Sequence, residues 1–465
     1  SEPALSTATV YILKSGKTAK PWTLLFGLSA RENLKGMQKI NMLQTGKKAM
    51  LALLLTPTLV VATQTETTPS STQLSLDDLR TFTDVFNLVR NNFVEELDDQ
   101  ALMSAAIRGM LSDLDPHSSY MEADEFRQLD DSSRGRYSGI GVEIVIQNSQ
   151  VKVAFVMDGG AADKAGMVAG DVITSINQTD LRGQNLRLAV DNLRGEVGTT
   201  VEISVRHENG EVSTLELVRD FVEVASVFSR PVDGDYGYFQ ITHFTRKSAD
   251  ELLEQIEYMQ ENHEGPLKGI VLDLRNNPGG VLNPAVTMAD GFLDDGLIVY
   301  TRGRAENQLE YNAKPGQWLE GVPVVVLVDR SSASASEVLA GALQDHGRAL
   351  IIGERTFGKG SVQSVLNLRN GSGIRLTTSR YYTPNGRSIQ AEGIQPDVEI
   401  TGLQMVEKKD QRRREVDLDG HLTGEETGEQ VVFGSEVSAT DDYMMYQALI
   451  LLKAANVLSP EVNQH

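Results

Sequence analysis

Four short apolar runs, each stopped by a polar or glycine-rich turn, constrain this chain more than any other feature. They are Gly237–Ile241, Gly269–Leu274, Val322–Val328 and Ala349–Ile352. Their length and continuous apolar character predict buried strands, and helical spacing intervenes at Ser248–Met259 and Ser336–Leu343. Strands alternating with helices predict an α/β domain over about residues 236–400. Asn370-Gly371 and Asn385-Gly386 add hairpin signals at its end.

The stretch before it has another rhythm. Short alternating strands are predicted at 141–145, 151–155, 172–176, 201–205 and 212–217, with an Asn209-Gly210 turn before the last. Two short helical signals, Gly160–Ala165 and Leu186–Leu193, lie among them. Residues 75–130 read as helices, through Leu79, Phe82, Val85, Phe86, Val89 and Phe93 and then Leu102, Ala105, Ala106, Met110, Leu111 and Leu114. Asp115–Tyr120 breaks this spacing as a turn. His117 lies on it, far along the chain from any nucleophile motif, and turn packing is its expected role. Past about residue 402 the chain is charged and poorly patterned until an amphipathic helix, Asp441–Leu458.

With 465 residues, 40% of them hydrophobic, the chain has room for two or three domains. The formal charge of −21 excludes nucleic acid as the expected partner, because phosphate binding needs clustered Lys and Arg. The absence of cysteine excludes disulfides, thiolate nucleophiles and cysteine-ligated metals. Residues 37–63 place Lys39, Lys47 and Lys48 before an apolar run from Ala49 to Ala62, as a signal peptide does, and imply export to a periplasm. Residues 1–36 carry no structural pattern and read as lying outside the native coding sequence, with Met37 or Met42 as the start. Gln64–Gln73 is a polar Thr/Ser/Pro linker.

Two segments carry chemistry. In Tyr137-Ser138-Gly139-Ile140-Gly141-Val142, two glycines let successive amides face one way and form a nest for an anion. A peptide's terminal carboxylate is such an anion, and a strand edge beside it can accept the peptide as an extra strand. With Asp158–Met167 and the GMVAGDVITSIN stretch, this segment resembles a PDZ domain. The resemblance implies that the Ile140 and Gly141 amides hold a C-terminal carboxylate, and that Ile140, Val142 and Ile144 border the pocket for the last side chain. Arg194 is either a surface arginine or, as in related proteases, a residue coupling the domain to the active site.

The other segment is the α/β domain. The run 324–330 leads into Ser331-Ser332-Ala333-Ser334-Ala335-Ser336-Glu337, where Ser334 and Glu337 fit a capping box. A serine at a helix N-terminus has amides and a dipole to stabilise negative charge, although such a serine can equally be a cap alone. It needs a base. None of the histidines sits in a triad-like setting, whereas Lys359 lies between glycines after a predicted buried strand. Burial there would favour its neutral form, and Gln363, four residues on, could orient it. Asp273–Gly280 ends another strand in a Gly-Gly turn that can offer amides to an oxyanion. This chemistry leaves Ser334 and Ser336 unseparated.

GIVLDLRNNPGG, VDRSSASASEVLAGAL and GERTFGKGSVQ, in this order and after a PDZ-like segment, resemble the carboxyl-terminal processing peptidases (tail-specific proteases, peptidase family S41). The likeness runs over roughly 75–400. It implies a multidomain α/β fold: a ClpP/crotonase-like protease core, an inserted PDZ domain and helical segments at both ends. It also implies Ser334 as nucleophile, Lys359 as general base and Gln363 as the residue holding it. The oxyanion hole would be the amides of Gly280 and Ala335, with Gly279 the alternative to Gly280. No cofactor or metal is expected. Expected partners are protein or peptide substrates with apolar C-termini, a lipoprotein adaptor and further copies of the chain. The expected divisions are 1–36, the signal peptide 37–63, the linker 64–74, a helical region 75–134, the PDZ domain 135–220, the peptidase core 221–402, and a tail 403–465 with an oligomerisation helix. Competing readings are a PDZ scaffold without catalysis, a chymotrypsin-like protease and a structural envelope protein. The second would need its protease segment before the PDZ domain, and the third leaves the combined motifs unexplained.

Overall fold

The computed structural model describes residues 74–181, 183, 186–304, 308–401, 438 and 441–458. The expected non-native segment, signal peptide and most of the linker lie outside these residues, as does most of the charged tail. Every element below belongs to one compact unit, which begins at Leu76.

It begins with α1 (Leu76–Asn92), α2 (Asp99–Ser112), β1 (Ser119–Met121) and α3 (Ala123–Ser133). Next come β2 (Arg136–Gly139), β3 (Val142–Gln147), β4 (Gln150–Val156), α4 (Ala161–Lys164), β5 (Val172–Ile176), β6 (Thr179–Asp180), α5 (Leu186–Leu193), β7 (Thr200–Arg206), β8 (Val212–Val218) and β9 (Asp220–Glu223). The last group opens with β10 (Val227–Val232), β11 (Tyr236–Ile241), α6 (Ser248–Glu261), β12 (Gly269–Asp273), α7 (Leu282–Phe292), β13 (Leu297–Gly303) and β14 (Gln308–Asn312). It continues with β15 (Val324–Val328), α8 (Ala335–Asp345), β16 (Ala349–Gly353), β17 (Ser361–Asn367), β18 (Gly373–Tyr382), β19 (Val398–Glu399) and α9 (Tyr443–Leu458).

The four apolar runs are the centre of a six-stranded sheet, β10-β11-β12-β15-β16-β19. All neighbours are parallel except the β10–β11 pair. The runs are apolar throughout because both faces are covered. Ile270, Leu272, Val324, Val326 and Ile351 join one core with Leu252 and Ile256 of α6, Met288 and Phe292 of α7, and Leu339 of α8. Their strand neighbours Val271, Val325, Leu327 and Ile352 point the other way and pack on Met445, Ala448, Leu449 and Leu452 of α9.

That second layer spends Met445, Ala448, Leu449 and Leu452 of the last helix on the chain's own sheet, while Val457 and Leu458 at its end stay exposed. Asp442, just before α9, also pairs with Arg275, the guanidinium reaching its carboxylate at 2.8 and 2.9 Å. The Asn370-Gly371 signal marks the β17–β18 hairpin, and the rest of its sheet escaped the sequence reading: β18 also pairs with β1 and β13, and β13 with β14. Through β1, the N-terminal region is stitched into the α/β part, with Ser119 opposite Arg375.

The inserted domain is a sheet in the order β3-β4-β5-β7-β8, with β6 on β5, closed over Ile140, Val153, Met167, Ile173, Ile203 and Leu217. The chain enters and leaves it side by side, because β2 and β9 pair antiparallel. Lys247 Nζ donates to Glu223 at 2.8 Å and fastens this two-stranded stem to the foot of α6.

Candidate active site

Each of the three candidate motifs leaves the carboxyl end of a parallel strand, and those strands, β12, β15 and β16, are neighbours. In open α/β sheets this is the edge where ligands bind. The sheet therefore brings the Asn276–Gly280 turn, Ser334 and the Lys359 loop to one end of the molecule.

Ser334 is the N-cap of α8 and has φ 57° and ψ −111°. A non-glycine residue in such a region costs about 1–3 kcal/mol and persists only where its surroundings hold it. The surroundings are explicit. The Ser334 N–H donates to the Glu337 carboxylate at 2.7 Å. Gly279 packs so closely that a Cβ there would lie 2.8 Å from Ser334 Cβ and 3.0 Å from the Ala335 nitrogen.

The neighbouring serines are occupied. Ser332 Oγ donates to the Leu274 carbonyl at 2.8 Å, and Ser336 Oγ to the Asn277 carbonyl at 3.0 Å. Both residues are fully buried, and both tie the serine loop to the turn after β12. Ser334 is buried to a lesser degree, and among the described residues its hydroxyl donates to no protein carbonyl. The geometry thus distinguishes Ser334 from Ser336, which chemistry in the sequence left together.

Glu337 is the centre of the site. Its side chain is fully buried and accepts four hydrogen bonds. Besides Ser334 N–H, the donors are Thr356 Oγ1 at 2.6 Å, Gly358 N–H at 2.6 Å and Lys359 N–H at 2.9 Å. One carboxylate thereby clips the serine loop to the lysine loop. Burial raises the Glu337 pKa, against the pull of its donors, Thr356 first among them. The capping-box spacing signalled this residue, but nothing in the sequence signalled that the cap would also hold the lysine loop.

Lys359 is half-buried. Burial, the first cause, and the nearby Arg375 guanidinium lower its pKa, while Asp115 and Glu337 oppose them. Its amine makes no hydrogen bond to Ser334 in this structure. Gln363, on β17, does not reach the amine either. Its amide donates to Ser361 Oγ at 2.8 Å and to Thr377 Oγ1 at 3.4 Å.

In the turn after β12, Gly279 N–H is occupied by Asn277 Oδ1 at 2.9 Å. Among the described residues, the amides of Gly280 and Ala335 donate to no protein acceptor. Gly280, at φ 143°, is pressed against β11's continuation, where a Cβ would stand 2.2 Å from the Phe244 carbonyl oxygen.

In the inserted domain, Ile140, Gly141, Val142 and Ile144 line one groove of about 550 Å³ with Phe155, Leu193 and Arg194. It lies along β3, which is the edge of its sheet. The Ile140 and Gly141 carbonyls take N–H groups from Ala162 and Met157, while among the described residues their own amides donate to no protein acceptor. The Arg194 guanidinium sits 5.4 Å from the Tyr137 ring centroid. The groove also touches Val222, Ala225 and Phe228, on the stem and on the first strand of the α/β part. No His, Asp or Glu cluster able to hold a metal occurs among the described residues.

Three family models match: Peptidase family S41 over residues 235–400, PDZ domain over 128–206 and the Activating protease CtpB N-terminal domain over 47–125. The chain is 41% identical over 411 residues to the carboxy-terminal-processing protease of Bartonella bacilliformis, covering 86% of this chain and 93% of that one. It is 32% identical over 314 residues to the carboxy-terminal processing protease CtpA of Bacillus subtilis, covering 67% of each. Among solved structures, the photosystem II D1 C-terminal processing protease aligns with 32% identity over 70% of this chain and 94% of its own, at a TM-score of 0.43.

Proposed function

Because the chain belongs to peptidase family S41, among the carboxy-terminal processing proteases, we propose that Ser334 is the nucleophile and Lys359 the general base of its serine peptidase activity. The observation that carries this is the Glu337 clip. It holds a strained serine at a helix N-terminus and a half-buried lysine on one carboxylate.

Neutral Lys359 takes the Ser334 proton as Oγ attacks the scissile carbonyl. The resulting oxyanion rests on the amides of Gly280 and Ala335. Gly280 is preferred to Gly279, whose amide is already bonded to Asn277. Protonated Lys359 then gives its proton to the leaving amine, and water releases the acyl group. Lys359 Nζ must come within hydrogen-bond reach of Ser334 Oγ for this, and Gln363 must turn toward it. Catalytic hydrogen bonds commonly tighten only when substrate is bound.

The PDZ groove supports recognition of apolar C-termini. The Ile140 and Gly141 amides would hold the carboxylate, and Val142 and Ile144 would border the last side chain. The groove's continuation to Phe228 supports hand-over toward the α/β part, with Arg194 at its lining. The leader 37–63 supports export to a periplasm, where envelope proteins would be the substrates. Self-association is proposed through α1, whose Phe82, Leu88 and Phe93 are exposed, rather than through α9.

A fluorophosphonate tests the nucleophile directly. Peptide mapping should place the adduct on Ser334, and Lys359→Ala should abolish labelling. An adduct on Ser332 or Ser336, or labelling unchanged by Lys359→Ala, would refute the assignment.

A further inference from the structure

The turn between α2 and β1 was expected to do no more than reverse the chain. In the structure it is bonded to β18 beside Gln363, and its bonds are directed. Asp115 Oδ1 accepts the N–H groups of His117 at 2.8 Å and Ser118 at 3.0 Å, and Oδ2 accepts Ser118 Oγ at 2.6 Å. These bonds alone would suffice for a turn. Asp115 Oδ1 takes one more, from Thr377 Oγ1 at 3.1 Å.

Thr377 stands opposite Gln363 in the β17–β18 ladder, and it is the residue whose hydroxyl meets the Gln363 amide at 3.4 Å. Since the Thr377 proton is given to Asp115, an oxygen lone pair is left for Gln363. Two positions earlier on β18, Arg375 Nε donates to the His117 carbonyl at 3.2 Å, which ties this guanidinium to the turn. Ser118 Oγ also accepts the Thr377 N–H at 3.1 Å, so turn and strand are locked in one register.

We propose that Asp115 and His117 are positioning residues of the active site, acting on Gln363 through Thr377 and on Lys359 through Arg375. The proposal rests on the assignment of Lys359 as base. Its physical content is an electrostatic frame. The charged groups facing Lys359 are Arg375 on β18, Asp115 on the turn and Glu337 on α8. The cation favours the neutral amine and the two carboxylates favour the charged one. The His117 imidazole is driven toward its neutral form by burial and then by Lys359 itself, so it leaves Arg375 as the cation of the frame. The N-terminal region therefore supplies part of the setting in which the base ionises.

The test reads Lys359 without requiring turnover. The full chain is acetylated with trace acetic anhydride across a pH series, and mass spectrometry follows the Lys359 peptide. The midpoint should move to lower pH in Asp115→Asn, which loses an anion but keeps an acceptor. It should move to higher pH in Arg375→Gln and stay near wild type in Arg375→Lys. Thr377→Val should lower kcat several-fold with little change in KM, because it unseats Gln363 without touching substrate. A loosened fold would not move the midpoint in opposite directions. Identical midpoints in all variants, or full kcat in Thr377→Val, would overturn the proposal while leaving the Ser–Lys assignment intact. Cleavage retained by Lys359→Ala would remove that assignment and this proposal with it.

Discussion

At the scale of single residues, Glu337 organises more of the site than any residue that would touch substrate. Its four donors come from Ser334, Lys359 and the loop between β16 and Lys359. Glu337→Ala would leave these donors buried and unpaired, and the cost should be about 3–5 kcal/mol, read as a lowered midpoint in urea unfolding. Glu337→Gln keeps the shape and loses the charge, so folding should largely persist while kcat falls.

Under the proposed mechanism two ionisations set the pH dependence. Lys359 has to be neutral to accept the serine proton, so activity should fall as pH drops through its lowered pKa. Glu337, raised by burial, gains its proton at higher pH than an ordinary glutamate, which loosens the clip in acid. The rate of cleavage against pH should therefore show a loss toward acid. In Asp115→Asn the lysine part of that limb should shift to lower pH. An acid-activated profile would contradict both assignments.

At the scale of elements, the site is the meeting of three strand-to-loop junctions, and each junction was visible in the chain. The runs 269–274, 322–328 and 349–352 announced the strands, and the small residues after them announced close backbone approach. Spacing within a run cannot tell which strands become neighbours. For that reason β1, β13 and β14 were missed, the Asn370-Gly371 signal marked the β17–β18 hairpin without its partners, and the contact of the Asp115 turn with Gln363 went unseen. The strand residues of β18 alternate partly exposed side chains with polar ones and resemble ordinary surface, and β1 has only three residues. The α9 helix was legible as a helix but not as the second cover of the sheet, because apolar residues at helical spacing look the same whichever surface they face.

Two predictions belong here. Gly280→Ala puts a methyl 2.2 Å from the Phe244 oxygen, in a backbone region that alanine avoids, so the turn must move. Labelling of Ser334 should be lost while the PDZ groove still binds peptide, measured by fluorescence anisotropy. Leu449→Ala opens a cavity between α9 and the sheet and should cost about 2–5 kcal/mol, read from thermal unfolding. A mere change in oligomeric mass, with stability unaltered, would argue that α9 faces another copy.

At the scale of the whole molecule, the inserted domain and the α/β part are joined by a two-stranded stem, and the peptide groove of one runs onto the first strand of the other. The N-terminal region reaches the catalytic end from another direction, through β1 on β18. On the proposed mechanism, cleavage should therefore depend on three segments distant in sequence, of which only one carries the Ser–Lys pair. The most direct test of that pair uses wild type, Ser334→Ala and Ser336→Ala, each incubated with a loosely folded protein ending in apolar residues, with fragments identified by mass spectrometry. The account predicts cleavage by wild type and by Ser336→Ala, and none by Ser334→Ala. Cleavage by Ser334→Ala at the wild-type rate would contradict it.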